Sequence, residues 1–212
     1  MGTDDKSLSA LEQITRLFDE SIAVKQRAAR VLPAQLLRAA DSMIRCLANG
    51  GKILSCGNGG SAGDAQHFAA ELVNRFEVER RGLAAIALTT DSSNLTSIAN
   101  DRSYDKVFSR QLEALANRGD VLLAITTSGN SSNIETAINT AKELGAPVIL
   151  LTGCDGGRAA TLLHADDVEL RVPDTSTARI QEIHILLVHA LCALLDQWAL
   201  SSSNDQVIGT ST

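Results

Sequence analysis

The chain predicts an α/β fold, a five-stranded parallel sheet flanked by helices, with two N-terminal helices and a long C-terminal helix. Three observations carry this. Five short runs rich in Val, Ile and Leu recur between residues 52 and 172 without polar alternation, as strands covered on both faces require. Stretches with helical spacing separate them, which is the alternation of a parallel βαβ sheet. The 212 residues, 44% hydrophobic and 21% charged, suit one domain with helical additions and a sizeable core.

Residues 8–31 and 34–48 read as two amphipathic helices, broken at Pro33 and stopped by Asn49-Gly50-Gly51. Strands are expected at Lys52–Cys56, Ala84–Leu88, Val121–Thr126, Val148–Thr152 and Val168–Val172. Helices at about 61–76, 92–99, 104–117, 131–144 and 157–163 fill the intervals. A last helix, Ser176–Leu200, is apolar nearly all round from Ile183 to Leu195. That pattern means burial on several sides, and it suits packing inside an oligomer. The Ser/Thr-rich tail from Ser201 reads as disordered, so residues 1–200 form the single domain.

The formal net charge of −6 argues against a nucleic-acid surface, which demands clustered Lys and Arg. Cys46, Cys56, Cys154 and Cys192 are scattered and read as free thiols of a reducing compartment. Met1–Ser9 is polar and acidic, so no signal peptide is expected. No apolar run approaches the ~20 residues that span a bilayer. The expectation is a cytoplasmic protein without membrane or nucleic-acid partners.

The richest stretch is Cys56-Gly57-Asn58-Gly59-Gly60-Ser61, where an apolar run enters a glycine turn that opens a helix. Such a turn presents N–H groups and a helix N-terminus to an anion, usually a phosphate. His67 and Glu71 follow, four residues apart and about 40° around the helix axis. Ligands of parallel sheets bind beyond the carboxyl ends of the strands. A second polar loop, Thr126–Ser131, lies at such an end, with hydroxyls on Thr126, Thr127, Ser128 and Ser131 before another helix. Those hydroxyls suit a phosphate monoester without any Lys; equally, they suit an ordinary capped βα loop.

Together, CGNGGSAGDAQHFAAEL, TTSGNSSN, LTGCDGG and RIQEIHILLVH make residues 5–198 resemble the sugar isomerase (SIS) domain family, and within it the phosphoheptose isomerase family. The resemblance implies a flavodoxin-like fold, a homotetramer, and conversion of sedoheptulose 7-phosphate to D-glycero-D-manno-heptose 7-phosphate on the way to lipopolysaccharide heptose. It assigns Asn58, Gly59, Gly60, Glu71, Asn100, Asp101, Thr126, Thr127, Ser128, Ser131 and Gln181 to substrate. His67, Glu71, Gln181 and His189 match ligands of one zinc ion per subunit, and Glu71 and His189 match an acid/base pair. A ketose–aldose isomerisation through an ene-diol needs such a pair, with the carbonyl polarised by a metal or polar groups. Gln181 and His189 are eight residues apart, ~12 Å along a helix and ~80° around it. They converge on one ion only by leaning together; otherwise they serve different parts of the substrate.

An alternative comes from the same family. AQHFAA, IANDR and TARIQE are as close to the DnaA initiator-associating protein, a tetrameric SIS scaffold, and Ala178 departs from the isomerase pattern. The resemblance implies that the scaffold lacks counterparts of Glu71 and His189, and this chain has both. A sugar-phosphate sensor would share the loops alone. Among other residues, His184 reads as structural and His164 as surface. Arg75 reads either as a phosphate contact or as a surface ion pair, and Asp64 as a cap or a support.

Overall fold

The computed structural model describes residues 9–208. Ser9 opens the chain's first helix, α1 (Ala10–Val31), through a capping box with Glu12. Leu32 separates it from α2 (Pro33–Ala48), where Pro33 takes the first helical position and its missing N–H costs nothing. Then follow β1 (Ile53–Gly57), α3 (Gly60–Val73), β2 (Ala85–Ala87) and α4 (Ser92–Asp101). The expected helix 104–117 is divided into a 3₁₀ turn, Tyr104–Lys106, and α5 (Ser109–Leu115). β3 (Val121–Ile125), α6 (Ser132–Glu143), β4 (Val148–Thr152), α7 (Gly157–Thr161), β5 (Val168–Arg171) and α8 (Thr177–Ile208) complete the described residues.

The strands form one parallel sheet in the order β2-β1-β3-β4-β5, the doubly wound flavodoxin-like order. The chain winds one way from β1 to β2 and the other from β3 onward. Between β1 and β3, the register pairs Cys56 with Ala124 and Gly57 with Ile125, so both strands end level at the switch point. Side chains alternate between faces. Ile53, Leu123 and Leu151 face a core with Met43, Phe68 and the α8 residues Ile180, Val188 and Leu191. Leu54, Leu122 and Leu150 face a second core with Phe108, Ile134 and Ile138.

α8 packs on α1, α2 and α3. Its stretch Thr177–Ser201 is long and apolar enough to cross a bilayer by length and composition, with a mean hydropathy of 1.6, which corrects the expectation that no run approaches that length. Half of the stretch is buried against the chain's own core, so packing accounts for its apolar character. The helix also continues to Ile208, past the end expected at Leu200, since extending an existing helix needs no new nucleus. The rest of the expected tail, 209–212, lies outside the described residues. All four cysteines are free.

Candidate active site

The β1 strand delivers Asn58 and Gly59 to the sheet's carboxyl edge. Gly59 holds φ +55°, a conformation that L side chains rarely adopt, and this turns the chain into α3. Across the switch point, Thr126–Ser131 leaves β3 beside it. A cavity of about 300 Å³ between them is lined by Asn58, Gly59, Gly60, Ser61, Ile125, Thr126, Thr127, Ser128, Ser131, Thr177 and Gln181.

Three helices begin at this cavity: α3 with Gly60, α6 after Ser131, and α8 with Thr177. Their dipoles bring the positive ends together. No described side chain caps α3 or α6. The Ser131 hydroxyl instead meets Thr126 Oγ1 at 3.3 Å. The plain capped-loop reading therefore fails here, and first-turn N–H groups remain for an anion. No Lys or Arg is among the described residues lining the space. The seat is made of hydroxyls and helix ends, so it is suited to phosphate in a chain of net charge −6.

Two residues that sequence reasoning missed hold the loops together. Asn133, buried in the first turn of α6, exchanges paired amide hydrogen bonds with Asn58, both at 2.8 Å. Tyr104 donates its hydroxyl to Asn58 Oδ1 at 3.2 Å. Asn-rich TTSGNSSN was the available signal, although nothing local says which Asn reaches back to Asn58. From the other side, α7 supports the hydroxyl loop, with Ala159 N–H donating to Gly129 O at 2.9 Å.

α3 and α8 run side by side in the same direction, and their contacts come in matching order. Gly60 meets Gln181 so closely that a Cβ on Gly60 would lie 2.3 Å from Gln181 Nε2. About two turns on, His67 Nε2 lies 2.9 Å from His189 Nε2. Glu71 Oε1 stands 3.5 Å from His67 Nε2. Phe76 stacks on the His189 ring with centroids 5.3 Å apart. The structure thus brings His67, Glu71 and His189 together and puts Gln181 with the anion cavity.

Asn100 and Asp101 are exposed at the end of α4, hydrogen-bonded to each other at 2.9 Å, and not among the residues lining the cavity. Asp64 does not cap α3, and its Oδ2 is buried without a hydrogen bond. Burial holds its carboxyl above the usual range, partly offset by His67. Arg75 is exposed and pairs with Glu79 at 3.6 Å, the surface-pair reading. His184 is fully buried and donates from Nε2 to Thr152 O at 3.0 Å, as a structural residue should. His164 is exposed.

Two imidazoles and a carboxylate are donor types that zinc takes, and their gathering fits such an ion in kind. Among the described residues, no three His, Cys, Asp or Glu side chains already converge as a metal cluster. The His67–Glu71–His189 group is a pair with a neighbour rather than a finished cage.

The SIS domain model matches residues 16–153, which span both loops and the His67/Glu71 helix. This chain belongs to the SIS domain family. Within the SIS family, it is 56% identical over 186 residues to the phosphoheptose isomerase of Chromohalobacter salexigens, covering 88% of this chain and 94% of that protein. Among solved SIS structures, phosphoheptose isomerase GmhA from Neisseria gonorrhoeae superposes with a TM-score of 0.86 at 52% identity, covering 89% of this chain and all of that one. A phosphoheptose isomerase from Francisella tularensis gives 0.88 at 46% identity, covering 90% and 100%.

Proposed function

We propose that this SIS protein is a phosphoheptose isomerase that interconverts sedoheptulose 7-phosphate and D-glycero-D-manno-heptose 7-phosphate. One observation carries the reading. Glu71 and the His67–His189 pair stand on the same two helices, α3 and α8, whose amino ends frame a phosphate seat. The kinship with phosphoheptose isomerases supports the same activity.

The residues divide the work. Helix ends and the hydroxyls of Thr126, Thr127, Ser128 and Ser131 hold the phosphate, while Asn58 and Gln181 orient the sugar. Glu71 and His189 form the acid/base pair: one takes the proton from C1 and the other serves the carbonyl oxygen. Collapse of the ene-diol returns a proton to C2 as the C1 hydroxyl gives up its own, which leaves the aldose. Phe76 and the core around His189 limit water at the ring.

Zinc is part of the proposal, held by His67, Glu71, Gln181 and His189, one ion per subunit. When bound, it would polarise the carbonyl. A lone pair given to zinc cannot also carry a proton, so the metal and acid/base roles of Glu71 and His189 compete. Metal analysis of purified protein tests this part.

A homotetramer is supported by apolar side chains that the single chain leaves exposed, Leu11 at 74% and Phe18 at 68% on α1. In such an assembly, Asn100 and Asp101 would meet substrate. The free thiols and acidic surface support a cytoplasmic location, and the product is a precursor of lipopolysaccharide heptose.

The kinship and the presence of both Glu71 and His189 favour the enzyme over the DnaA-binding scaffold. Turnover of sedoheptulose 7-phosphate by the purified protein is the deciding assay. Inactivity combined with tight DnaA binding would reverse the choice.

A further inference from the structure

The segment after α3 carries a buried ion pair that the reaction itself does not use. Arg80 Nε lies 2.6 Å from Asp196 Oδ1, with side-chain exposures of 1% and 4%. The same guanidinium donates to the last-turn carbonyls of α3, from Nη2 to Glu71 O and from Nη1 to Leu72 O, both at 2.8 Å. Both carbonyls lie in the last turn, where the helix itself supplies no amide, and a cation there suits the dipole; Leu72 O also accepts Leu83 N–H at 2.9 Å. Asp196 Oδ2 accepts the amides of Glu77 at 3.2 Å and Val78 at 3.4 Å. Between these anchors, Phe76 stacks on His189. Asp196 follows His189 by seven residues, two turns along α8 and ~20° around it.

We propose that the Arg80–Asp196 pair is a positioning clamp that locks α3 to α8 in the register at which Glu71 and His67 meet His189. The proposal rests on the isomerase reading for its kinetic consequence. Apolar contacts between two helices tolerate sliding, whereas a guanidinium fork bound to four backbone carbonyls and one carboxylate does not. A buried ion pair is weak evidence for stability alone, since apolar replacements often do as well. Its use here is geometric. Arg80 touches the backbone of Glu71, and Asp196 shares a helix face with His189.

The test compares purified wild type, Arg80→Lys and Asp196→Asn for kcat and KM with sedoheptulose 7-phosphate, alongside long-range 1H–15N spectra of the imidazoles. Lys52→Met serves as control. It breaks another largely buried pair, Lys52 Nζ to Asp120 Oδ2 at 2.6 Å, at the amino ends of β1 and β3 and on neither α3 nor α8. We expect kcat to fall roughly tenfold to a hundredfold with KM little changed, because small misplacements of reacting groups cost rate. The His67 and His189 ring signals should shift in both clamp variants, and Lys52→Met should keep wild-type kcat. If Arg80→Lys does not fold, Asp196→Asn, which keeps an acceptor for the two amides, decides alone. Unchanged kcat in a folded clamp variant overturns the proposal. So do unmoved His67 and His189 signals, or an equal loss of kcat in Lys52→Met. Wild-type inactivity would sink the isomerase reading instead, and the imidazole spectra would still test the clamp.

Discussion

His67 Nε2 and His189 Nε2 lie 2.9 Å apart although 122 positions separate them in the chain. The contact joins the helix that leaves the glycine turn to the helix that closes the domain. Edge-on ring packing at 5.1 Å and the Phe76 stack fix the orientation of both imidazoles. With Glu71 one turn beyond His67, two imidazoles and a carboxylate gather about two turns along α3 from the cavity that Gly60 and Gln181 line.

Glu71→Gln and His189→Ala should each lower turnover by about 10²–10⁴, the usual loss of a general acid or base. Both residues are incompletely buried, so circular dichroism should be unchanged. A folded variant that retains more than a tenth of wild-type kcat would remove that residue from the acid/base pair.

Asn133→Ala should weaken the phosphate seat without touching the acid/base group. Asn133 is 2% exposed, and its loss leaves the Asn58 amide short of two partners. The expected cost is about 1–3 kcal/mol of stability. A raised KM should accompany it, with kcat nearly constant. Denaturant melts and initial-rate kinetics check both parts.

Two glycines of α3 should respond in opposite ways to alanine. At Gly60 the new Cβ would lie 2.3 Å from Gln181 Nε2, so Gly60→Ala should push Gln181 off the cavity and raise KM. At Gly63 nothing lies within 4 Å, so Gly63→Ala should raise stability by about 0.5–1 kcal/mol through helix propensity. Thermal melts and KM values of the two variants check the contrast.

His184 should make the protein less stable on mild acidification. Burial lowers its imidazole from 6.5 to about 4, partly offset by its bond to Thr152 O. Between those values the unfolded chain takes up a proton that the folded chain refuses. The stability contributed by neutral His184 is therefore complete above pH 6.5 and is lost as pH falls towards about 4. The loss is about 3 kcal/mol at 1.36 kcal/mol per unit. Denaturant midpoints at pH 7.5, 5.5 and 4.5 should show it, and His184→Gln should flatten that part of the slope.

Most of the architecture was legible because its signals are local. Val148–Thr152 is a strand where the apolar run placed it, and the other strands begin or end within a residue or so of expectation. His67 and Glu71 were readable as a pair because i, i+4 spacing fixes their relation on any helix. The loop Thr126–Ser131 was readable as polar and helix-opening, but not as uncapped, since a hydroxyl's choice between its own helix and a neighbour depends on the neighbour. The Thr177 end of α8, Asn133, Tyr104, Phe76 and the Arg80–Asp196 pair were not legible. Each acts across a long stretch of chain, and no local spacing records such a contact.

By itself, the sequence determined that β1 and β3 end in polar, glycine-bearing loops that open helices, and that α3 carries an imidazole and a carboxylate on one face. Apolar runs, glycine positions and helical periodicity are short-range properties, and they suffice for that. Tertiary structure decided the rest. The order β2-β1-β3-β4-β5 set the two loops side by side, and the packing of α8 along α3 chose His189 over His184 as the partner of His67. The physical reason is that helix rotation and strand order come from burying two whole cores at once, a global condition that no single stretch of residues states.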